Sequence, residues 1–166
     1  MSGRRAASAD GILPVTRSVA YHVATLGGIG RVPLAPGTVG SAVGLGLCLP
    51  MLRLGWPVHL AAAGLLAAVA VIVCTRAADE LGHPDPPPVV IDEVLGMWCA
   101  ALMVPVRAYD LCAVFLLFRM FDIVKPAPIS RLERLPGGFG IVADDIAAGL
   151  LARATWWLLK VNFDFV

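Results

Sequence analysis

Long apolar runs separated by short polar stretches make up most of the chain. The clearest run, residues 56–75 (WPVHLAAAGLLAAVAVIVCT), carries no formal charge and has the roughly 20 residues that a membrane-spanning helix needs. Four further runs are shorter or contain proline or charges: residues 39–52, 94–106, 109–124 and 146–161. The pattern predicts about five helices, of which the shorter or charged ones are full spans, tilted, re-entrant or packed behind the others. A further helix over residues 16–26 is predicted to lie at the membrane interface.

The composition supports a membrane protein. Hydrophobic residues make up 58% of the 166 residues and charged residues 15%, and the mean hydropathy is +0.81. Soluble domains average about 45–50% apolar and about 25% charged residues. The net charge of +1 gives no sign of a nucleic-acid partner, and the four cysteines form no zinc or disulfide pattern. We predict an all-α, multi-pass helical membrane bundle, with residues 1–26 as a tail that includes the interfacial helix and residues 27–166 as one domain.

Basic residues are distributed unevenly among the connections between the predicted helices. If the N-terminus is cytoplasmic, the inner segments hold eight lysines and arginines and the outer connections hold two, Arg53 and Arg107. Inner connections of membrane proteins are enriched in these residues, so the count predicts a cytoplasmic N-terminus. With this topology the acidic pairs and the polar loops of residues 31–41 and 79–88 share the cytoplasmic face. A polar site is therefore predicted at that face.

Two acidic pairs lie next to apolar runs: Asp92–Glu93 and Asp144–Asp145. An acid at a helix N-terminus satisfies free backbone amides and complements the helix dipole, so capping is the simpler interpretation of each pair. However, one side chain is enough to cap a helix, and four carboxylates near an apolar phase are costly unless a cation compensates them. The pairs therefore also indicate a cation site.

The segment FRMFDIVKPAP spaces Arg119, Asp122 and Lys125 three residues apart, so neighbouring members share a helical face. Pro126 disfavours helix at Lys125 and predicts that the helix ends there. One interpretation is a salt-bridge ladder within the helix. The other is a metal-binding carboxylate flanked by cations that bind an anionic group.

Two loops add candidate phosphate contacts. In PGTVGS, Thr38 is either a helix N-cap or, with Ser41, a hydroxyl donor to phosphate oxygens. In LPGGFGIVADD, the three glycines are either a turn before a helix or a place where backbone amides approach an anion. Of the histidines, His83 in the acidic loop is the one that stays a candidate ligand.

Together these groups supply hard oxygen ligands and positively charged side chains, and they contain no cluster of cysteine or histidine ligands. Oxygen ligands select magnesium, calcium or manganese, and magnesium is usually held by one or two carboxylates together with phosphate oxygens. At a membrane surface, an anionic phospholipid is a plausible substrate. The residues by themselves thus predict a metal-dependent membrane enzyme that acts on a phosphate.

Three stretches together resemble the phosphatidylglycerophosphatase A family of bacterial lipid phosphatases. They are GIGRVPLAPGTVGS (residues 28–41), DPPPVVIDEVLGMW (residues 85–98) and FRMFDIVKPAPISRLERLPGGFGIVADDIAAG (residues 118–149). The resemblance implies a magnesium-dependent phosphatase that converts phosphatidylglycerophosphate to phosphatidylglycerol. It also implies an all-α, multi-pass protein of the bacterial inner membrane with its site facing the cytoplasm, so that residues 27–166 form a lipid phosphatase domain.

By the same resemblance, several residues stand at the family's motif positions: Asp92, Glu93, Asp122, Lys125, Asp144 and Asp145. We expect Asp92, Glu93, Asp144 and Asp145 to hold one or two Mg²⁺ ions. Asp122 is expected to be a further ligand or a base. Glu133 replaces an expected aspartate and is left out of the ligand set because its side chain is longer.

Phosphate charge is expected to be neutralised by Lys125 with Arg119 or Arg131. A magnesium-activated water is then expected to attack phosphorus. A covalent aspartyl phosphate is the alternative. The leading rival function is a small ion-coupled transporter or ion-binding membrane protein, in which Asp122 and Arg119 line a pathway. A CDP-alcohol phosphotransferase is disfavoured because its acidic signature is missing.

Overall fold

The computed structural model describes residues 17–163, and every regular element in that range is a helix. The all-α prediction is therefore confirmed for this range. The helices are α1 (Val19–Ala24), α2 (Pro36–Leu54), α3 (Trp56–Leu81), α4 (Ile91–Ala101), α5 (Ala108–Val124), α6 (Ala127–Ser130) and α7 (Gly138–Phe163), with 3₁₀ turns at Leu26–Arg31 and Leu132–Arg134. Most of the predicted N-terminal tail, including the first residue of the predicted interfacial helix, lies outside the described residues.

The helix predicted over residues 16–26 is shorter in the structure. Ser18 caps α1 by accepting a hydrogen bond from the backbone N–H of Tyr21 through its side chain, and the helix ends at Ala24. Left-handed backbone at Gly27 and Gly28 then turns the chain, which glycine permits without a side-chain clash.

α4 is the central helix and packs against α2, α3, α5 and α7. Eight of its eleven residues are buried. At 1.5 Å per residue it is about 16 Å long, roughly half of the hydrocarbon thickness of a bilayer. The prediction of one helix over residues 94–106 was wrong at both ends, since α4 starts three residues earlier and ends at Ala101. The short helix is covered by its neighbours.

Within the described residues, α2 and α3 are the two helices that are long and apolar enough to cross a membrane. Large apolar side chains are nevertheless exposed on other helices too. Examples are Leu116 and Ile123 on α5, and Leu150 and Trp157 on α7. Extensive exposed apolar surface marks a membrane or protein contact on a folded chain.

α5 ends where the sequence predicts. Its last residue is Val124, and Lys125 follows in the left-handed region with φ 44° before Pro126. By contrast, α7 starts at Gly138, eight residues before the predicted start at residue 146. Gly138 donates a backbone hydrogen bond to Thr75 Oγ1 at 2.8 Å, which joins the start of α7 to the last third of α3.

Hydrogen bonds at the other end of the bundle join α5 and α4 to the second half of α7. Asp110, which is buried, accepts hydrogen bonds from Trp156 Nε1 at 3.1 Å and from Lys160 Nζ at 3.2 Å. Arg153 Nε donates to the carbonyl oxygen of Leu102, directly after the end of α4. The polar partners thus satisfy groups that would otherwise be buried without a hydrogen bond.

The helices alternate in direction, which brings the starts of α2, α4 and α7 close to the ends of α3 and α5. Arg119 near the end of α5 donates to Ser41 near the start of α2, at 3.2 Å. Together with the Gly138–Thr75 bond, this contact identifies one end of the bundle where the acidic side chains gather.

Candidate functional site

Three carboxylates converge at this end of the bundle. Asp92 and Glu93 lie in the first turn of α4, and Asp145 lies about two turns into α7. Each offers a carboxylate oxygen, and these oxygens lie within 4.8 Å of one another. We call Asp92, Glu93 and Asp145 the carboxylate trio. It joins residues that are 52 positions apart in the chain.

Glycines allow α4 and α7 to approach closely enough to form the trio. A Cβ atom at Gly96 would lie 2.6 Å from the Phe118 ring and 2.8 Å from the carbonyl oxygen of Asp145. A Cβ atom at Gly149 would overlap the carbonyl oxygen of Gly96. Small residues at a helix crossing are typical of close packing in membrane proteins. The α4–α7 crossing therefore determines where the Asp145 carboxylate lies.

The trio has the properties of a cation site with oxygen ligands. Oδ1 of Asp92, Oε2 of Glu93 and Oδ2 of Asp145 are buried and have no hydrogen-bond partner among the described residues. Burying such groups without a partner is costly. Three hard carboxylates without sulfur or nitrogen ligands fit magnesium, calcium or manganese, so the residues present suit the predicted magnesium ion.

The pKa values at the start of α4 agree with an uncompensated acidic group. Burial, followed by the negative charges of Glu93 and Asp145, raises the pKa of Asp92 well above its usual range. Burial also raises the pKa of Glu93 to about 6, although Arg119 opposes this rise. Both carboxyls would gain from a nearby cation.

Asp122 and Arg119 lie beside the trio on α5. Arg119 Nη1 donates to Asp122 Oδ2 at 2.6 Å, as the salt-bridge interpretation expected, and also to Ser41. Ser41 Oγ in turn donates to the carbonyl oxygen of Gly37 at 2.7 Å. A Cβ atom at Gly37 would collide with the Glu93 and Arg119 side chains, so this glycine leaves room for both.

Lys125 does not continue the ladder to Asp122. Its ammonium group bonds Asp144 Oδ2 at 2.6 Å and Glu133 Oε1 at 2.5 Å. Partial burial lowers the pKa of Lys125, but the hydrogen bonds from the ammonium to Asp144 and Glu133 outweigh it and hold that pKa above its usual range. The predicted salt-bridge ladder is therefore correct for the pair Arg119–Asp122 and wrong for a pair between Asp122 and Lys125.

Asp144 and Asp145 have different partners. Adjacent residues on a helix point about 100° apart, so the two side chains leave α7 in different directions. Asp145 belongs to the trio, whereas Asp144 pairs with Lys125. Neither residue caps α7, because the helix begins at Gly138, so the capping interpretation of this pair was wrong.

Two of the predicted phosphate contacts, Thr38 and Arg131, form no side-chain hydrogen bond or ion pair with the trio in the part of the chain that the structure describes. Thr38 is half-buried in the first turn of α2 and is not its N-cap, which is Ala35. Arg131 is exposed after α6 and forms no ion pair with the described residues. The glycine stretch is a turn at Gly137, with φ 59°, and then part of α7.

A cavity of about 640 Å³ lies next to Asp144. Its lining includes the acidic side chains of Asp79, Asp85 and Glu133, together with His83. Neither Asp79 nor Glu133 was predicted as a site residue, and Glu133 was left out because its side chain is longer than that of the expected aspartate. The available signal for the contact between Glu133 and Lys125 was their spacing, since Glu133 follows Lys125 by eight residues across a proline turn.

The chain is similar to known proteins along most of its length. The family described as phosphatidylglycerophosphatase A matches residues 22–160. The chain is 33% identical to phosphatidylglycerophosphatase A of Escherichia coli (strain K12) over 142 residues, covering 84% of this chain and 83% of the relative. It is 36% identical to phosphatidylglycerophosphatase A of Haemophilus influenzae over 148 residues, covering 83% and 90%.

A third relative carries a different name. It is a Bacteroides thetaiotaomicron protein named provisionally as a phosphatidylinositol-3-phosphatase, and it is 36% identical over 143 residues, covering 78% of this chain and 89% of the relative. No solved structure matches the chain. The family match spans most of the sequence and includes every member of the carboxylate trio. The chain belongs to the phosphatidylglycerophosphatase A family.

Proposed function

We propose that this protein removes the terminal phosphate of phosphatidylglycerophosphate to give phosphatidylglycerol, with a magnesium ion held by the carboxylate trio. The observation that carries the proposal is the trio itself. Three carboxylates from two helices present buried oxygens that have no hydrogen-bond partner among the described residues, in a chain of this family. A phosphomonoester on a lipid headgroup is common to the substrates that the three relatives' names give.

Asp92, Glu93 and Asp145 are the residues that would hold the ion. When bound, magnesium stabilises developing charge on phosphate oxygens and lowers the pKa of a coordinated water. Asp144 was expected to be a fourth ligand. Its ion pair with Lys125 supports a different role, in which it orients the ammonium group toward the substrate phosphate.

Lys125 and Arg119 supply the positive charge that a phosphate dianion needs. An ammonium group has three N–H donors, and two of those on Lys125 already bond carboxylates, which leaves one for a phosphate oxygen. Arg119 is fixed in place by Asp122 and Ser41. Ser41 therefore acts through Arg119, and Asp122 is placed to orient the guanidinium or to accept a proton from the attacking water.

We further propose that the protein crosses the inner membrane several times, with the site on the cytoplasmic side. The two apolar helices α2 and α3 and the exposed apolar side chains of α5 and α7 support this topology. The uneven distribution of basic residues supports the sidedness. The family match does not support the transporter alternative.

The test is phosphate release from phosphatidylglycerophosphate by the full chain purified in detergent, with magnesium and after chelation. Asp145→Asn is expected to lower the rate at least about 10³-fold while the protein stays folded, because the trio loses a charged ligand. Glu80→Gln is the matched control, since Glu80 pairs with Arg17 and Ser18 away from the trio. Full activity of Asp145→Asn would remove the metal-site assignment. A higher rate on phosphatidylinositol 3-phosphate would replace the proposed substrate.

A further inference from the structure

Two positively charged side chains meet on the second half of α7, at the end of the bundle opposite the trio. Arg153, Trp156 and Lys160 follow one another at intervals of three and four residues, so they share one face of the helix. The guanidinium carbon of Arg153 lies 5.0 Å from the centroid of the Trp156 ring, and Lys160 Nζ lies 5.9 Å from the same centroid. The ring therefore holds both cations beside it.

The residues at the start of α5 add a third cation. Tyr109 Oη accepts hydrogen bonds from Arg107 Nη1 at 2.7 Å and from Lys160 Nζ at 3.2 Å. The phenol oxygen thus joins the residue before α5 to the end of α7. We call Arg107, Arg153 and Lys160, together with the Tyr109 and Trp156 rings that they contact, the cation cluster.

The cation cluster presents more positive than negative charge. Among the described residues, Asp110 is the carboxylate that pairs with it, through Lys160, and its side chain is 1% exposed. Three cations against this carboxylate leave two positive charges, and Arg107 is exposed. A guanidinium has five N–H donors, and one of those on Arg107 is used within the described residues. Donors therefore remain for an anion.

The depth of the cation cluster matches the second surface of a bilayer. α5 has 17 residues and is about 26 Å long at 1.5 Å per residue. Its end carries Arg119 and Asp122 beside the trio, and its start carries Tyr109 of the cation cluster. The hydrocarbon core of a bilayer is about 30 Å thick. With the site at one headgroup layer, the cation cluster therefore lies near the other.

We infer that the cation cluster binds the headgroup of an anionic phospholipid in the leaflet opposite the candidate active site. The inference rests on the proposed membrane-spanning arrangement, but not on which side of the membrane the site faces. A headgroup with a net negative charge matches the two excess positive charges. The ammonium group of a zwitterionic headgroup would offset that attraction.

The surroundings of the cation cluster favour a lipid over a free anion. Val106, Trp157 and Val161 each adjoin a member of the cluster in the chain, and each is exposed. Apolar side chains at a membrane surface contact acyl chains, which a free phosphate ion does not have. An anionic lipid therefore uses both the charge and the apolar surface around it.

The experiment measures the affinity of the full chain for phosphatidylserine in neutral detergent, by energy transfer from tryptophan to a pyrene-labelled acyl chain. This lipid has a net negative charge and no phosphomonoester. Arg107→Gln is expected to raise Kd about fivefold at low ionic strength and Arg107→Glu about 25-fold, since each basic residue near an anionic headgroup contributes about that factor. Both effects should fall below about twofold in about 1 M salt, where the screening length is roughly 3 Å.

Arg53→Glu is the matched control. Arg53 is exposed near the end of α2, at the same end of the bundle, and it forms no ion pair within the part of the chain that the structure describes. This variant should change Kd less than about twofold, and Arg107→Lys should also bind almost as tightly as the native protein. Pyrene-labelled phosphatidylcholine should bind the native protein and Arg107→Glu alike.

Three outcomes would overturn the inference. The first is equal affinity of the native protein and Arg107→Glu for phosphatidylserine. The second is an equal loss of affinity in Arg53→Glu, because the attraction would then be a general property of this end of the bundle. The third is displacement of the lipid by an equal concentration of inorganic phosphate, which would make the ligand a free anion.

Activity measurements separate this inference from the proposed function. Asp145→Asn should bind phosphatidylserine as tightly as the native protein although it no longer releases phosphate, so either proposal can fail alone. Arg107→Gln should release phosphate from phosphatidylglycerophosphate at the native rate in detergent. A loss of turnover in that variant would make Arg107 part of the catalytic machinery and would also overturn the inference.

Discussion

Gly96→Ala should lower the activity of the enzyme by disturbing the packing of α4 against α7, because Gly96 itself has no side chain that could take part in the reaction. The added Cβ atom would lie 2.8 Å from the carbonyl oxygen of Asp145, whereas ordinary C···O contacts are about 3.3–3.6 Å. It would lie 2.6 Å from the Phe118 ring, against about 3.5–4.0 Å for carbon atoms in contact. Relief of both contacts requires α7 to move about 0.5 Å and the ring about 1 Å.

These displacements are large on the scale of metal coordination. Ligand distances in a metal site hold within about 0.2 Å, so a shift of about 0.5 Å at Asp145 should weaken the site. We expect turnover of Gly96→Ala to fall about 10-fold, because a misplacement of about 1 Å can cost about 100-fold and the Asp145 carboxylate shifts by about half of that distance. Overpacking should also lower the free energy of unfolding by about 1–3 kcal/mol.

The measurements are phosphate release, Mn²⁺ binding and thermal unfolding of the purified protein in detergent. Gly64→Ala is the matched control, because a Cβ atom there has no neighbour within 4 Å and Gly64 also lies inside a helix. That variant should be fully active and about 0.4–1 kcal/mol more stable. If Gly96→Ala has native turnover and native Mn²⁺ affinity, the claim that the α4–α7 crossing determines where the Asp145 carboxylate lies is refuted.

Three further outcomes are expected. Lys125→Ala should lower kcat/KM for phosphatidylglycerophosphate about 10- to 100-fold, because the phosphate loses a charge-assisted contact and Asp144 loses its partner. Thr75→Val should lower the free energy of unfolding by about 1–3 kcal/mol in thermal denaturation, because the Gly138 N–H loses its acceptor. Chelation of magnesium should both stop phosphate release and lower Tm, because a bound ion stabilises the folded state.

Each outcome has a control. Lys125→Arg keeps the charge and should retain more activity than Lys125→Ala. If the native protein and both variants have equal kinetics, Lys125 forms its ion pairs but does not contact the phosphate. Thr155→Val makes the same change on α7 about 25 Å from Gly138 and should leave Tm almost unchanged. A Tm that does not respond to chelation would show that no stabilising ion occupies the trio.

Local sequence rules predicted the parts of the structure that local forces determine. Pro126 disfavours helix at the residue before it, and α5 ends at Val124 as expected. The all-helical character likewise follows from the length of the apolar runs. The ends of α4 were not predictable in this way, because the apolar run continues past Ala101 after the helix has stopped. α4 packs against four neighbouring helices, and a local pattern does not report such contacts.

The candidate site was predicted only as far as residue type allows. The sequence identified the acids but placed both Asp144 and Asp145 among the ligands of one or two Mg²⁺ ions, although helical geometry already points such neighbours apart. Glu133 was excluded because its side chain is long, and that length is what lets it reach Lys125 from the turn before α7. Side-chain direction and the distance across the bundle depend on packing, which a single sequence does not report.

The hydrogen bond from Arg153 to Leu102 has a consequence for how the protein is made. In a bilayer, the carbonyl groups at the end of a half-length helix would face hydrocarbon, where no water satisfies them. The donor that meets one of them lies 51 residues later in the chain, on α7. During synthesis this carbonyl can therefore gain its hydrogen bond only after α7 has left the ribosome and packed against α4.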